Sequence, residues 1–566
     1  MRLDKITIGS EKDSPAHQFK NLKNVTIDFD QDHWVTVVIG WNGTGKSNVL
    51  EALAIIFREL ISSKKPKIDF AFKLAYRMGA GGTTRHIHID ADPDRDKDPF
   101  IIHVATNKEA QGKGAEEGVS ALRGKRIRLS TFVAEDEINL PRYVFSYYSG
   151  ESTRMYEVFR PYLENFDSKL RKGIDPGLKR LFYAMPVHSQ FVLLAFLIQQ
   201  SDVVREFLDE HLGLDADEGI ESVLFVLREP PWKSKDGDPR FWNARGVVSN
   251  FLAKLYDIAL APIKVSRNVA TSIWNKEKLE FKYLYVKDIQ ALRMLVGDQT
   301  PAQFFRDLES TYVSELFEEV RIRVRLKKND GSVTFRELSE GEQQLLTVLG
   351  LMCFTAEKES LFLLDEPDTH LNPKWCVDYF GYLQKFAGSD ATNRETSHIL
   401  LTTHNPLAIA ELVKEQVQIL QLKHGDDKRC IVATHPDMDP RGQGYAAIVT
   451  SDMFGIASSL DKSTQELLER QRLYAGKSKL SEEELRSLDE INTKLERLGF
   501  RFFLPDDEYS RYLRIRFQVL EAKFGADNAE VTAKVLAMSR IEREELASEL
   551  IDALVKDEDN EPKGQK

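Results

Sequence analysis

The sequence predicts an α/β fold built on a parallel sheet with flanking helices, and three observations predict it. β-branched residues lead up to Gly40, where a glycine-rich turn takes over and a helix-forming stretch follows. The run "LFLLDEPD", residues 361–368, places four apolar residues ahead of adjacent acids. From Ser339 onward the pattern runs helix, strand, helix, strand, helix, strand, which suits crossover connections in a parallel sheet.

Taken in order, "DKITIGS", "VTIDF" and "HWVTVVIG" read as short strands ahead of Gly40. A helix is expected from about Ser47 to Leu60, where Val49, Leu50, Leu53, Ile56, Phe57 and Leu60 keep helical spacing. "RHIHIDAD", "FIIHVAT", "RIRLSTFV" and "YVFSYYSG" read as strands, residues 155–265 as mostly helical, and strands return around 280–336. Residues 461–550 are helical and charged, and the terminal "KDEDNEPKGQK" has the composition of a disordered tail. The expected organisation is residues 1–60 and 331–460 as two parts of one head, 61–330 as a β-rich and then helical α+β insertion, 461–550 as a helical C-terminal region, and 551–566 as tail. Residues 60–330 sustain no heptad pattern, so the insertion is read as globular and not as a coiled-coil arm.

Composition bounds the function. The chain has 566 residues, 42% hydrophobic and 30% charged, and a formal net charge of −11, which argues against coating nucleic acid by bulk charge. No apolar run reaches the roughly 18 residues that cross a bilayer; "FVLLAFLI", Phe191–Ile198, suits a buried helix. Cys353, Cys376 and Cys430 are scattered and fit no zinc spacing, so a reducing cytoplasm is the expected compartment.

Gly40, Trp41, Asn42, Gly43, Thr44, Gly45, Lys46 and Ser47 fit G-x-x-x-x-G-K-[ST], the phosphate-binding loop. Glycines let backbone N–H groups face an anion, and the following helix offers its positive end. Lys46 can reach the β- and γ-phosphates, and Ser47 can place a hydroxyl on magnesium. Asn42, Gly43, Gly45 and Asn48 complete the candidate ATP contacts. Asp365 ends a buried strand and would hold Mg2+; Glu366 beside it would polarise the attacking water. In "ILLTTHN", residues 399–405, another strand delivers His404 to the same edge, to read the γ-phosphate or orient water. In "LSEGEQQLL", Ser339 and Glu342 form a capping box, and Gly341 in the first helical turn needs a reason, which close approach of an anion supplies.

The order GWNGTGKS, LSEGEQQ, LFLLDEPD, TTHN resembles that of ABC-type ATPases. In that family the signature helix of one head touches the γ-phosphate held by another, so two ATP molecules are sandwiched between two heads. The resemblance carries Ser339, Gly341 and Glu342 over as contacts made to a partner copy, and His370, Leu371 and Asn372 as an interface loop. "FKNLKNVTIDF" resembles the opening of SMC-like and RecF-like heads, and "DEPDTHLNP" resembles the form common in bacterial SMC-like ATPases of the overcoming-lysogenisation-defect and anti-phage type. "SDMFGIASSLDKSTQELLERQRLYA", residues 451–475, resembles the PtuA-type ATPase of Septu and retron anti-phage defence systems. That resemblance implies a homo-oligomer working with a separate HNH nuclease subunit. A RecF-like DNA-repair ATPase and a structural nucleotide-bound scaffold are the alternatives.

Three further readings complete the expectation. The acids of "ATHPDMDP" (His435, Asp437, Asp439) and "FFLPDDEY" (Asp506, Asp507, Glu508) read as turns or caps and not as a nuclease centre. The sensing glutamine of ABC heads is either Gln190 or missing, its place taken by the strand end "FSYYSGESTR". "VRIRVRLKK", residues 320–328, and "RGKRIRLS", residues 123–130, present alternating basic faces that could contact DNA or a structured RNA, including retron RNA or msDNA.

Overall fold

The computed structural model describes residues 1–106, 124–198, 200–214, 219–270, 276–327, 332–355, 359–386, 396–424, 429–456, 458–475, 477, 480–500, 507–524, 534–535 and 538–560. They form two compact units, Met1–Gly455 and Ile456–Lys566.

The larger unit is organised by a seven-stranded sheet whose order is β18-β17-β3-β16-β15-β8-β9. Its members are β3 (Val35–Gly40), β8 (Tyr143–Tyr148), β9 (Leu181–Tyr183), β15 (Ser360–Asp365), β16 (His398–Thr402), β17 (Val417–His424) and β18 (Arg429–Thr434). All pairings are parallel except that of the edge strand β18 with β17. Parallel strands covered on both faces read as near-continuous apolar runs, and the central strands β3, β15 and β16 do. Val35, Val37, Ile39, Phe362, Leu364, Ile399 and Leu401 enter one core. Val38, Leu361, Leu363 and Leu400 enter the other.

A second sheet, ordered β2-β1-β4-β5-β6-β7, is antiparallel: β1 (Arg2–Ile8), β2 (Val25–Asp28), β4 (Phe72–Met78), β5 (Arg85–Ala91), β6 (Phe100–Thr106) and β7 (Lys125–Ile127). The third, ordered β11-β12-β10-β13-β14, is also antiparallel: β10 (Ile220–Arg228), β11 (Leu260–Ala270), β12 (Lys276–Val286), β13 (Phe317–Arg325) and β14 (Ser332–Thr334). Six helices matter below: α1 (Lys46–Ser62), α2 (Arg154–Arg171), α3 (Val187–Ile198), α4 (Pro301–Val313), α5 (Glu340–Thr355) and α6 (Pro373–Phe386).

Several expectations need correction. Residues 61–330 supply strands to all three sheets: β4–β7 continue the sheet begun by β1 and β2, β8 and β9 extend the seven-stranded one, and β10–β13 make most of the third. "RIRLSTFV" is a strand only to Ile127, after which Leu129–Ala134 is helical. "IESVLFVLR", read as part of a helical region, is β10, with its buried residues distributed over a sheet and not a helical stripe. The two basic strands lie in different sheets, β7 at the edge of one and β13 inside another. In β13 the alternation holds: Val320, Ile322 and Val324 are buried and Arg321, Arg323 and Arg325 exposed, with Arg321 paired to Glu319 at 2.8 Å. Arg123 and Lys328, also part of those basic segments, lie outside the described residues.

Candidate nucleotide site

Three parallel strand ends bring the predicted residues together. β3 delivers the loop, β15 delivers Asp365, and β16, lying between them, delivers Thr402 and then His404. At Gly40 the backbone presses on β17: a Cβ there would stand 2.5 Å from the Leu420 carbonyl oxygen. Gly45 is left-handed, with φ of 92°, and a Cβ would meet Leu22 Cδ2 at 2.7 Å and Asn21 Oδ1 at 2.8 Å. Asn21 Nδ2 donates to the Gly43 carbonyl at 2.7 Å, and Asn48 Nδ2 donates to Asn21 Oδ1 at 2.6 Å. The loop is therefore held from outside by the β1–β2 connection. Trp41 is exposed on it.

Lys46 is buried, and its Nζ donates to the Gly40 carbonyl at 2.9 Å. Burial lowers its pKa, opposed by the Glu366 and Asp365 carboxylates. Asp365 is buried, and burial raises its pKa against the hydroxyls of Thr402 and Ser47. Its Oδ2 has no hydrogen-bond partner, and Arg154 Nη2 lies 3.9 Å away. A buried carboxylate oxygen without a donor, next to a serine hydroxyl, fits an oxygen-ligated divalent cation such as Mg2+. Glu366 adopts a left-handed φ of 51°, unusual for a side chain of its size. That turn is held by its N–H donating to the Thr402 carbonyl at 3.1 Å, and it leaves Glu366 Oε1 2.9 Å from His404 Nε2. The His404 contact, with Lys46 assisting, holds the Glu366 carboxyl below its usual range.

The predicted signature segment has the expected local chemistry. Ser339 N and Oγ both donate to Glu342 Oε2, at 2.7 and 2.8 Å, and Glu342 N returns a bond to Ser339 Oγ at 3.3 Å. This is a capping box at an exposed helix start. For Gly341 the chain itself supplies a different reason from the anion expected: a Cβ would stand 2.4 Å from the His370 carbonyl oxygen. His370 N also donates to the buried Gln344 Oε1 at 3.3 Å, and His370 Nδ1 faces Glu340 at 3.4 Å. The α5 tip and the 368–372 loop are thus tied to each other. Asn372 is spent on capping α6, accepting from Trp375 N at 3.0 Å, and Leu371 is buried.

Sequence reading missed Arg154. It opens α2 just after β8, whose Tyr148 is in register with Asp365. Its guanidinium faces Asn48 Oδ1 at 3.4 Å, Glu51 Oε2 at 3.8 Å and Asp365. The only sequence signal was an arginine closing "FSYYSGESTR". That strand end does flank the acids, and it carries no glutamine; Gln190 lies instead in α3, the helix packed on α5. Asp439 accepts from Lys414 N, and His435 is bonded to the Val417 carbonyl, so both side chains bind backbone across the β17–β18 pair. Among the described residues neither converges with other acids into a metal-ligating group; Asp506 lies outside those residues.

The strand order, the phosphate loop and the acids at the end of β15 are those of a P-loop ATPase fold. Two family models match the chain: "AAA ATPase domain" over residues 17–123 and "AAA domain, putative AbiEii toxin, Type IV TA system" over residues 248–410. Between them they take in the loop, the signature segment, Asp365 and His404. Among curated relatives, the "Septu protein PtuA" of Bacillus mycoides (strain KBAB4) is 26% identical over 146 residues, covering 25% of this chain and 19% of the relative. The "Retron Vc95 probable ATPase" of Vibrio cholerae serotype O1 biovar El Tor is 21% identical over 407 residues, 68% of each chain. The "SMC head domain from Thermotoga maritima" superposes with a TM-score of 0.31 at 11% identity, over 77% of this chain and all of that one. Among the described residues no helix is long and apolar enough to cross a membrane.

Proposed function

We propose that this chain binds and hydrolyses ATP and that two copies close over shared ATP molecules in a bacterial anti-phage assembly. In it the ATPase governs a separate HNH-type nuclease subunit, with DNA or a retron-derived nucleic acid as a further ligand. The supporting observation is the Glu366–His404 contact of 2.9 Å beside Lys46 and the open side of Asp365, at three adjacent parallel strand ends. The likeness to the Septu and retron proteins supports the setting.

The roles follow from the chemistry. Lys46, released from the Gly40 carbonyl, contributes a charge whose burial cost the phosphates offset. Ser47 and Asp365 would hold Mg2+, which when bound supplies charge neutralisation at the phosphates. Glu366 is held ionised by His404, so it orients an attacking water more than it removes its proton outright. Ser339 and the exposed first turn of α5 offer N–H groups and a hydroxyl to the partner's triphosphate.

The test pairs two substitutions. Glu366→Gln is expected to lower turnover by about 100-fold or more and to trap an ATP-dependent dimer, read by mass photometry. Ser339→Arg, which blocks the helix tip, should still bind one nucleotide per chain yet neither dimerise nor turn over. Full turnover in both variants would overturn the reading.

A further inference from the structure

We propose a second cation site, away from the nucleotide, that takes a divalent transition-metal ion of the Zn2+ or Mn2+ kind on His17 Nε2, Asp92 Oδ1 and Asp94 Oδ2. His17 ends a single 3-10 turn, Pro15–His17, in the β1–β2 connection, and the two aspartates lie in the turn from β5 to β6.

His17 is 1% exposed, and its Nε2 is buried without a hydrogen bond. Yet Asp92 Oδ1 lies 3.3 Å and Asp94 Oδ2 3.2 Å from that atom. These are the edge lengths of a coordination shell: about 3.1 Å for octahedral ligands at ~2.2 Å, and about 3.3 Å for tetrahedral ligands at ~2.0 Å. The surroundings fix the ring and the carboxylates. Ser10 Oγ holds His17 Nδ1 at 2.6 Å, which directs the Nε2 lone pair toward the acids when Nδ1 carries the proton. Asp94 N donates to Asp92 Oδ1 at 3.0 Å, and Ser14 Oγ to Asp94 Oδ2 at 2.8 Å. Lys12 Nζ binds the other Asp92 oxygen at 2.9 Å, so Oδ1, which accepts one N–H, keeps a lone pair for the ion. One imidazole with two carboxylates favours Zn2+ or Mn2+ over Ca2+.

The site has a structural consequence. The connection that carries His17 also carries Asn21 and Leu22, which pack against Gly43 and Gly45 of the phosphate loop. An ion joining His17 to the β5–β6 turn clips this connection in place and stiffens the outer wall of the loop.

The experiment uses the full chain, stripped with a chelator, without nucleotide, and titrated with Co2+ as a spectroscopic stand-in for Zn2+. The expected result is one equivalent with visible d–d absorption, displaced by Zn2+. Asp94→Asn keeps the fold, because that side chain is 46% exposed; it and His17→Gln should weaken Co2+ binding by about tenfold or more. Asp365→Asn should leave the signal unchanged. No stoichiometric Co2+, undiminished binding in Asp94→Asn, or a signal lost only in Asp365→Asn would each overturn the proposal.

Discussion

Arg154 shows what a single side chain does for a carboxylate awaiting its cation. Asp365 Oδ2 is buried without a hydrogen bond, and the Arg154 guanidinium lies 3.9 Å from it, adding to the charge of Lys46 nearby. Removing it leaves the buried acid less compensated, until a metal-bound nucleotide supplies more positive charge. Arg154→Ala is expected to lower Tm by about 2–4 °C without nucleotide and to recover most of that loss with Mg-ATP, measured by scanning fluorimetry. Equal losses in both conditions would contradict this role. The loop, Asp365, Glu366 and His404 were legible because each lies on a short motif whose spacing states its chemistry. Arg154 was not, because its partners come from α1 and β15, more than 100 residues away on either side.

At the level of elements, the α5 tip is tied to the 368–372 loop, and magnitudes decide what Gly341→Ala does. Alanine gains up to about 1 kcal/mol of helix propensity, while forcing a Cβ toward a carbonyl oxygen 2.4 Å away costs about 1–3 kcal/mol. The expected outcome is a net loss of stability, seen in chemical denaturation without nucleotide. Ser339 is therefore the cleaner probe of a partner contact. A second element-level device is the buried group formed by Lys179, His188 of α3 and Glu309 of α4. Burial pushes the Glu309 carboxyl up, but His188 and Lys179 more than offset that and hold it at about 2, against an ordinary 4.5. A depressed acid stabilises the fold above its unfolded pKa, and that share is lost as pH falls from about 4.5 toward 2. Glu309→Gln should cost on the order of 3 kcal/mol at neutral pH and flatten the acid limb of the stability profile; an unchanged limb would refute this. Glu309 lies more than 120 residues from both Lys179 and His188, so no local pattern announced the group. For the same reason β10 was read as helix: "SVLFVL" is apolar on both sides of a buried strand, and periodicity cannot separate that from a buried helix.

Among the described residues, both large cores draw on residues before 455, and the second unit has a small cluster of its own around Leu468, Ile491 and Leu495. A chain ending at Gly455 is expected to unfold cooperatively and to bind nucleotide with full-length affinity, checked by calorimetry and a fluorescent ATP analogue. Loss of cooperative unfolding would show that the described cores are insufficient alone. The parallel sheet was legible in the alternation after Ser339, but the sharing of residues 61–330 among three sheets was not, since pairing over such distances leaves no mark in a local window. Val35, Val37 and Ile39 grip one core while Val38 grips the other, and Gly40 abuts Leu420. A strand anchored like a beam built in at both walls cannot yield sideways when its ligand arrives. Whatever variety this lineage explores in tempo or trigger must then be written at the rim, in the connections around the cradle, while the beam itself stays fixed.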